Sequence, residues 1–343
     1  MKYRTYPNSD VTVSEVGFGM WTTSTGWWGE MSDAQAVAML HEAFDLGMTL
    51  YDAADTYGNG RSEEQLANAF AGRRDRVVIA TKFGYDIYTQ TEQRRGQAEL
   101  PQDVSPTYIR KALDESLRRL RTDYIDIYQL HNAKMDHVHD DVMWETLEAL
   151  KASGKIRMYG VALGPAIGFL YEGVDAVKEH NVPSLQIIWN MLEQYPGNEQ
   201  IKAAYDSKAG TGYMIRVPHA SGMLEGHYTE DTVFPENDHR RHRPRSWLTN
   251  GIKKVEQLRF LERPERTLGQ AALQWLLHEP RVMTVLPNIY NREQLIEFAN
   301  APDTPALTAQ ELAHIDALYA KNFGIEEPPM AFKGVMTRES VNA

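Results

Sequence analysis

Short apolar runs rich in β-branched and aromatic residues alternate along this chain with longer stretches whose apolar positions recur at helical spacing. The first pattern predicts buried strands and the second predicts amphipathic helices. Eight strand candidates follow: 15–21 (EVGFGMW), 48–53 (MTLYDA), 76–82 (RVVIATK), 124–131 (YIDIYQLH), 155–163 (KIRMYGVAL), 184–190 (SLQIIWN), 212–218 (GYMIRVP) and 281–287 (RVMTVLP). Between them lie helical stretches such as SDAQAVAMLHEAFDLG, in which Ser32 or Asp33 suits the cap and Gly47 suits a left-handed stop. SEEQLANAFAG, SPTYIRKALDESLRRL, DDVMWETLEALKASG and TLGQAALQWLLHE read the same way. A strand followed each time by a helix, eight times over, predicts an α/β fold, a (β/α)8 TIM barrel, in preference to an open doubly wound sheet. GFGMWT after the first strand does not supply the GxGxxG turn that an open nucleotide-binding sheet would want.

Residues 3–13, with the Pro7-Asn8-Ser9-Asp10 turn, read as an N-terminal β-hairpin closing the bottom of the barrel. Two segments exceed an ordinary βα loop: 85–105 after the third strand and 219–251 after the seventh. No low-complexity linker divides the chain, so residues 1–343 are expected to form a single domain, with the barrel over about 14–300 and a C-terminal extension over 301–343.

Composition narrows the partners. The 343 residues carry 36 Lys plus Arg against 47 Asp plus Glu, a formal charge of -11, which repels nucleic acid and anionic lipid. No stretch approaches the roughly 20 apolar residues that span a bilayer, and the N-terminus has no apolar leader core. The absence of cysteine rules out disulfides, a thiol nucleophile and thiolate metal ligands, and fits a reducing compartment. A cytoplasmic protein is expected, with no nucleic-acid or membrane partner; the oligomeric state is not legible.

In a barrel of this kind chemistry collects at the C-terminal strand ends, where the βα loops meet. The second strand ends in Asp52, the third in Lys82 and the fourth in His131, while Tyr57 sits in a turn that Gly58 and Gly60 allow to double back. Taken singly, each has an ordinary reading: a helix cap, a solvated ammonium, a satisfied histidine. Together, on adjacent strand ends, they point to proton transfer. A phenol is a poor acid at neutral pH, and an ammionium-type charge on Lys82 within reach of Tyr57 should make it more acidic. A buried ammonium needs an anion, which assigns Asp52 to Lys82. His131 has two open roles, orienting a substrate carbonyl or assisting the proton of Tyr57.

LYDAADTYG, ATKFG and YIDIYQLHN resemble the signature segments of the aldo-keto reductase superfamily, and the resemblance runs from VSEVGFGMW near residue 14 through GKIRMYGV and PNIYNREQL to about residue 300. It implies the catalytic residues Asp52, Tyr57, Lys82 and His131, and hydride transfer between NADP(H) and a small-molecule carbonyl or alcohol, with Tyr57 as general acid or base. It also implies cofactor contacts from Gly19, Met20 and Trp21 after the first strand, and from Asp52. Further contacts implied are Gln186 beside the nicotinamide amide, and Trp189 stacked on its ring. Arg216, Pro218, Ser221 and Gly222 occupy the pyrophosphate loop, and Asn288, Arg292 and Gln294 the adenosine side.

The chain departs from the family pattern at several of these places. GVALG stands for the usual GVSN, so Ala162 and Leu163 offer no side-chain hydrogen bonds to the nicotinamide amide. Arg216-Val217-Pro218 replaces Tyr-Ser-Pro, and Arg216 can face cofactor, substrate or a neighbouring carboxylate. Tyr290 stands where an arginine often grips the 2′-phosphate, and Phe298 where an adenine-binding Asn is common. NADP(H) is expected, with NAD(H) as the alternative.

The seventh-strand loop holds His239, Arg240, Arg241, His242, Arg243 and Arg245, which either clamp an anionic group or pair with acids such as Glu236 and Asp238. Tyr85, Tyr88, Arg94 and Arg95 in the third-strand loop suit a sugar-like ring or merely pack the loop. His137 and His139 have a spacing that interests a metal, but no further ligand set appears and no metal is expected. Two rival functions remain: a nicotinamide-sensing regulatory subunit of the kind seen in potassium-channel beta subunits of the same superfamily, and an isomerase that recycles its cofactor.

Overall fold

A computed structural model of the chain describes residues 1–89 and 99–341. Strands β1 (Tyr3–Thr5) and β2 (Thr12–Ser14) form an antiparallel hairpin. The barrel strands follow as β3 (Phe18–Gly19), β4 (Leu50–Asp52), β5 (Val78–Phe83), β6 (Ile125–His131), β7 (Ile156–Ala162), β8 (Ser184–Ile188), β9 (Gly212–Arg216) and β10 (Val282–Leu286). They pair in parallel in sequence order. The Gly17 amide donates to the Val285 carbonyl and the Val285 amide to the Glu15 carbonyl, both at 2.9 Å, and these bonds bring the last strand back to the first. The fold is therefore the (β/α)8 barrel that the alternation predicts, its strand ends within two or three residues of the expected ones.

Local chemistry explains the helices that separate the strands. Asp33–Asp45 starts at Ser32, whose hydroxyl accepts from the Gln35 amide while the Gln35 side chain accepts from the Ser32 amide, and Gly47 (φ 92°) turns the chain out of the helix. Thr267 and Gln270 form the same reciprocal cap for Leu268–Leu277. One segment differs from expectation: the tract 219–251 is not all loop, because Arg245–Glu256 is an α-helix preceded by Pro244. Its Leu248, Gly251 and Val255 make a buried helical face, a short period hidden among arginines.

Side-chain parity then sets the stage for the site. Along each strand alternate residues face the barrel axis. Low in the barrel these are Leu50, Val78, Ala80, Ile127, Met158 and Met214, packed with Tyr6, Val11 and Val13 from the hairpin, which plugs the bottom as predicted. One step higher the same faces carry Asp52, Lys82 and Gln129, with Gln186 and Arg216 beyond them. An apolar plug thus underlies a polar layer that opens at the C-terminal face. Among the described residues no helix is long and apolar enough to cross a membrane.

Candidate active site

Asp52, Lys82 and Gln129 come from three neighbouring strands: Lys82 and Gln129 are register partners, and Asp52, opposite Ala80, lies one inward-facing step lower, within reach of both. The Lys82 ammonium donates to Asp52 Oδ2 at 2.8 Å and to the Ala53 carbonyl at 2.7 Å, and it is almost wholly buried. The other oxygen of Asp52 accepts from Gln129 Nε2 and Gln186 Nε2, each at 3.1 Å. Asp52 is thereby fixed on both sides, and Lys82 has its anion. Burial works against the Lys82 charge, but Asp52 and Tyr57 outweigh it and hold the ammonium above its ordinary pKa.

Tyr57 reaches the same place from the turn after β4. Gly58 (φ +62°) permits that turn, and a Cβ there would lie 2.7 Å from the Ser24 carbonyl oxygen, so no side chain fits without a shift. Lys82 Nζ lies 4.8 Å from the centre of the Tyr57 ring. Trp21 packs edge-on against that ring at 5.1 Å and His131 at 5.9 Å. The four expected catalytic side chains are gathered in one mouth. One part of the expectation is corrected: burial raises the Tyr57 pKa, and the opposing pull of Lys82 and Arg216 does not cancel it. At neutral pH Tyr57 is a phenol holding its proton, with two cations placed to stabilise the phenolate it leaves.

His131 is braced from the third-strand loop. Gln102 Nε2 donates to its carbonyl at 2.7 Å, Tyr85 packs edge-on at 5.1 Å, and Tyr85 itself accepts from Asn132 Nδ2 at 2.7 Å. Thr56 Oγ1 sits 3.5 Å from His131 Nδ1. Tyr88 does not join this group: it packs on Arg119, whose Nη2 donates to its hydroxyl at 3.2 Å. Arg94 and Arg95 lie outside the described residues.

The expected cofactor residues divide. Gly19 pairs with Asp52 across the sheet, the Met20 amide donates to the Asp52 carbonyl at 2.9 Å, and Trp21 touches Tyr57, so all three border the mouth. Gln186 and Arg216 face it from β8 and β9. Beyond Arg216 the chain turns through Val217, Ala220, Ser221 and Gly222, all with left-handed φ, around the buried Pro218. The Ser221 hydroxyl accepts only at 3.4 Å, from Arg243 Nη2. A turn with successive left-handed residues and a lightly engaged hydroxyl fits a diphosphate. Asn288 follows β10 half-buried, and Gln294 is buried, donating to Glu225 Oε2 at 2.8 Å and accepting from the Tyr290 amide at 3.2 Å.

Two expected residues are not brought there. Trp189 packs against Trp275 with ring centres 4.5 Å apart and donates to Asn198 Oδ1 at 2.8 Å, so it faces the helical layer rather than a bound ring. Parity carried this signal: with Gln186 facing inward, Trp189 three positions on faces outward. Arg292 is exposed and pairs with Glu42 Oε1 at 2.7 Å, away from the mouth. Ala162 ends β7 beside Gln186 and Leu163 follows it, both buried and without polar side-chain atoms.

The arginine-rich tract is partly what its acids foretold. Arg240 pairs with Asp238 at 2.5 Å, yet its guanidinium also lies 4.2 Å from the Trp28 ring, and Trp28 stacks on Tyr290 at 5.5 Å. The seventh-strand loop is thus tied to the loops of the first and last barrel strands beside the Val217–Gly222 turn. Trp28 and Tyr228 gave no signal in the sequence, whereas Gln129 could have been found two residues before His131, on the same face. Asp55 was also missed. It is fully buried in the tyrosine turn, and among the described residues no side chain donates a hydrogen bond to its carboxylate. Burial and the neighbouring Glu63 push its pKa well up. His139 approaches Asp175 at 3.3 Å and Glu179 at 3.7 Å, and Asp175 is also bound by Arg338 at 2.8 Å.

A profile of the Aldo/keto reductase family matches residues 15–320. An uncharacterized oxidoreductase, YqkF of Bacillus subtilis, is 30% identical over 322 residues, covering 91% of this chain and 94% of its own. L-glyceraldehyde 3-phosphate reductase of Escherichia coli K12 is 29% identical over 335 residues, covering 92% of each chain. The aldo-keto reductase AKR11C1 from Bacillus halodurans, in its holo form, superposes with a TM-score of 0.74 at 30% identity, covering 93% of this chain and 96% of its own.

Proposed function

Because the chain belongs to the aldo/keto reductase family and is an oxidoreductase, we propose that it interconverts the carbonyl of a small aldehyde or ketone with its alcohol, using NADP(H), with Tyr57 as the proton donor and acceptor. The observation that supports this most directly is the Lys82 ammonium, fixed at 2.8 Å from Asp52 and 4.8 Å from the Tyr57 ring. When bound there, a nicotinamide would supply hydride chemistry at the carbonyl carbon. The chain's own residues handle the oxygen. Tyr57 gives its proton to that oxygen as negative charge develops, Lys82 and Arg216 lower the cost of the phenolate, and His131, braced by Tyr85 and Gln102, stands edge-on beside Tyr57. One carbonyl, one hydride and one proton give one alcohol, and oxidation reverses each transfer.

Gln186, Arg216 and the Val217–Gly222 turn would hold the nicotinamide and the diphosphate, with Gly19, Met20, Trp21 and Asn288 at the rim. Arg243, whose Nη2 reaches Ser221 in that turn, is better placed than Arg292 to meet a phosphate on the adenosine side, while Arg240 is already held by Asp238 and Tyr228. A small hydroxylated aldehyde suits the mouth, and the similarity to a reductase of a phosphorylated aldehyde agrees with that class. A cytoplasmic setting belongs to the same reading.

The test is fluorescence titration with NADPH and NADH, followed by carbonyl-dependent oxidation of whichever binds. NADPH should quench, and Tyr57→Phe should keep the quenching while losing about 10²-fold or more of turnover. A purified protein that binds neither nucleotide, or a Tyr57→Phe variant with unchanged turnover, contradicts the proposal.

A further inference from the structure

Arg216 ends β9 on the face that carries Met214, and Met214 belongs to the barrel interior, where its sulfur accepts from Gln186 Nε2 at 3.0 Å. The guanidinium is therefore turned towards the mouth. One of its nitrogens, Nη2, donates to the Leu163 carbonyl at 3.1 Å and to the Gly164 carbonyl beside it. Neither acceptor carries a charge. The acid that bears on Arg216 electrically is Asp52, which is already bound by Lys82, Gln129 and Gln186. Among the described residues, the charged side chains paired near Tyr57 are Asp52 with Lys82, and Glu63 with Arg119 at 2.6 Å. The buried Asp55 is held towards its neutral form by burial and by Glu63. Of these described groups, Arg216 is the one whose charge meets neutral acceptors instead of a carboxylate.

That charge has a consequence for a nicotinamide site. The reduced ring is neutral and the oxidised ring carries a positive charge. Hydride and proton go to the two ends of a single C=O bond, so the ring must share the mouth with Tyr57 and with Arg216. A fixed guanidinium there repels one redox form and is indifferent to the other. At an effective dielectric constant of about 20, two unit charges roughly 8 Å apart interact strongly enough to shift a binding ratio about tenfold or more.

We propose that Arg216 is a specificity-determining residue that makes the mouth favour the reduced, neutral nicotinamide over the oxidised, cationic one, so that the site preferentially loads the reduced form and releases the oxidised one. The inference rests on the nicotinamide reading above. It concerns binding and is visible without turnover: a tenfold preference corresponds to about 30 mV in the potential of a bound two-electron couple.

The test measures dissociation constants of NADPH and NADP+ by fluorescence quenching, or of NADH and NAD+ if those bind, for the wild type, Arg216→Gln and Arg216→Lys. Gln keeps an amide donor for the carbonyls of Leu163 and Gly164 without the charge, and Lys keeps the charge. The wild type should bind the reduced form about tenfold or more tighter, Arg216→Gln should lose most of that ratio by gaining affinity for the oxidised form, and Arg216→Lys should largely retain it. Equal affinities in the wild type overturn the inference even if a variant fails to fold, and so does a ratio in Arg216→Gln that matches the wild type. Absence of binding of any nicotinamide form by the wild type is a separate result, which refutes the functional reading and removes the basis of the inference with it.

Discussion

At Tyr57 opposed effects act on one proton. Lys82 and Arg216 favour its loss, burial favours its retention, and burial prevails, so the group waits as an acid until charge develops on a substrate oxygen. Two residues earlier in the chain, Asp55 shows what burial does when a like charge, Glu63, adds to it. No side chain among the described residues donates to its carboxylate, and its raised pKa sets the sign of its contribution. Below the unfolded carboxylate value the group costs little, and stability is lost as pH rises towards the folded value, because the folded state binds the proton more tightly. Asp55→Asn is therefore expected to melt higher than the wild type at about pH 8, by a few degrees, with the gap closing near pH 4. Thermal unfolding across that range checks it, and a gap that does not change with pH would show that Asp55 is not held protonated.

At the scale of elements, caps and strand ends carry the local logic. The helix Ala309–Tyr319 begins with the Thr308 and Glu311 reciprocal cap. Glu311 also pairs with Arg263 at 2.6 Å and with the wholly buried Arg266 at 2.7 Å. Burial would raise its pKa, but the Thr308 amide and the two guanidinium groups hold it down at about 2. This stabilisation is complete above the ordinary value of 4.5 and is lost as pH falls towards 2. Glu311→Gln preserves the cap and removes the charge, so it should destabilise by about 3 kcal/mol at neutral pH and by much less near pH 2. Denaturant unfolding at the two pH values decides the matter; an equal loss at both would assign the effect to the cap. Strand ends were less legible. The tract 212–218 reads as one strand, yet pairing stops at Arg216 because Val217 takes a left-handed φ of 55°, which its sequence neighbours do not announce.

For the whole molecule, closure and the C-terminal tract matter most. The tract lies along the helix Leu170–Lys178, whose N-cap Phe169 offers no side-chain hydrogen bond. The Lys333 carbonyl accepts from the Phe169 amide at 2.7 Å, the Val335 carbonyl from the Tyr171 amide at 3.1 Å, and Arg338 binds the buried Asp175. Tertiary contacts thus replace a cap. A chain ending at Pro328 should lose these bonds and melt about 5 °C or more lower, since a buried carboxylate without its guanidinium is costly; calorimetry showing an unchanged Tm would mean the tract is only laid on the surface. The amino-acid sequence by itself determined the eight strand–helix alternations, the plugging hairpin and the placement of Asp52, Tyr57, Lys82 and His131 at one end of the barrel, because side-chain period and turn chemistry are properties of neighbouring positions. Only the tertiary structure decided that Gln129 and Gln186 grip Asp52 from separate strands, that Arg292 turns outward to Glu42 and that Arg216 meets neutral carbonyl acceptors. Those outcomes depend on which distant side chains the closing register of the barrel sets within reach of one another, and on how little water remains between them.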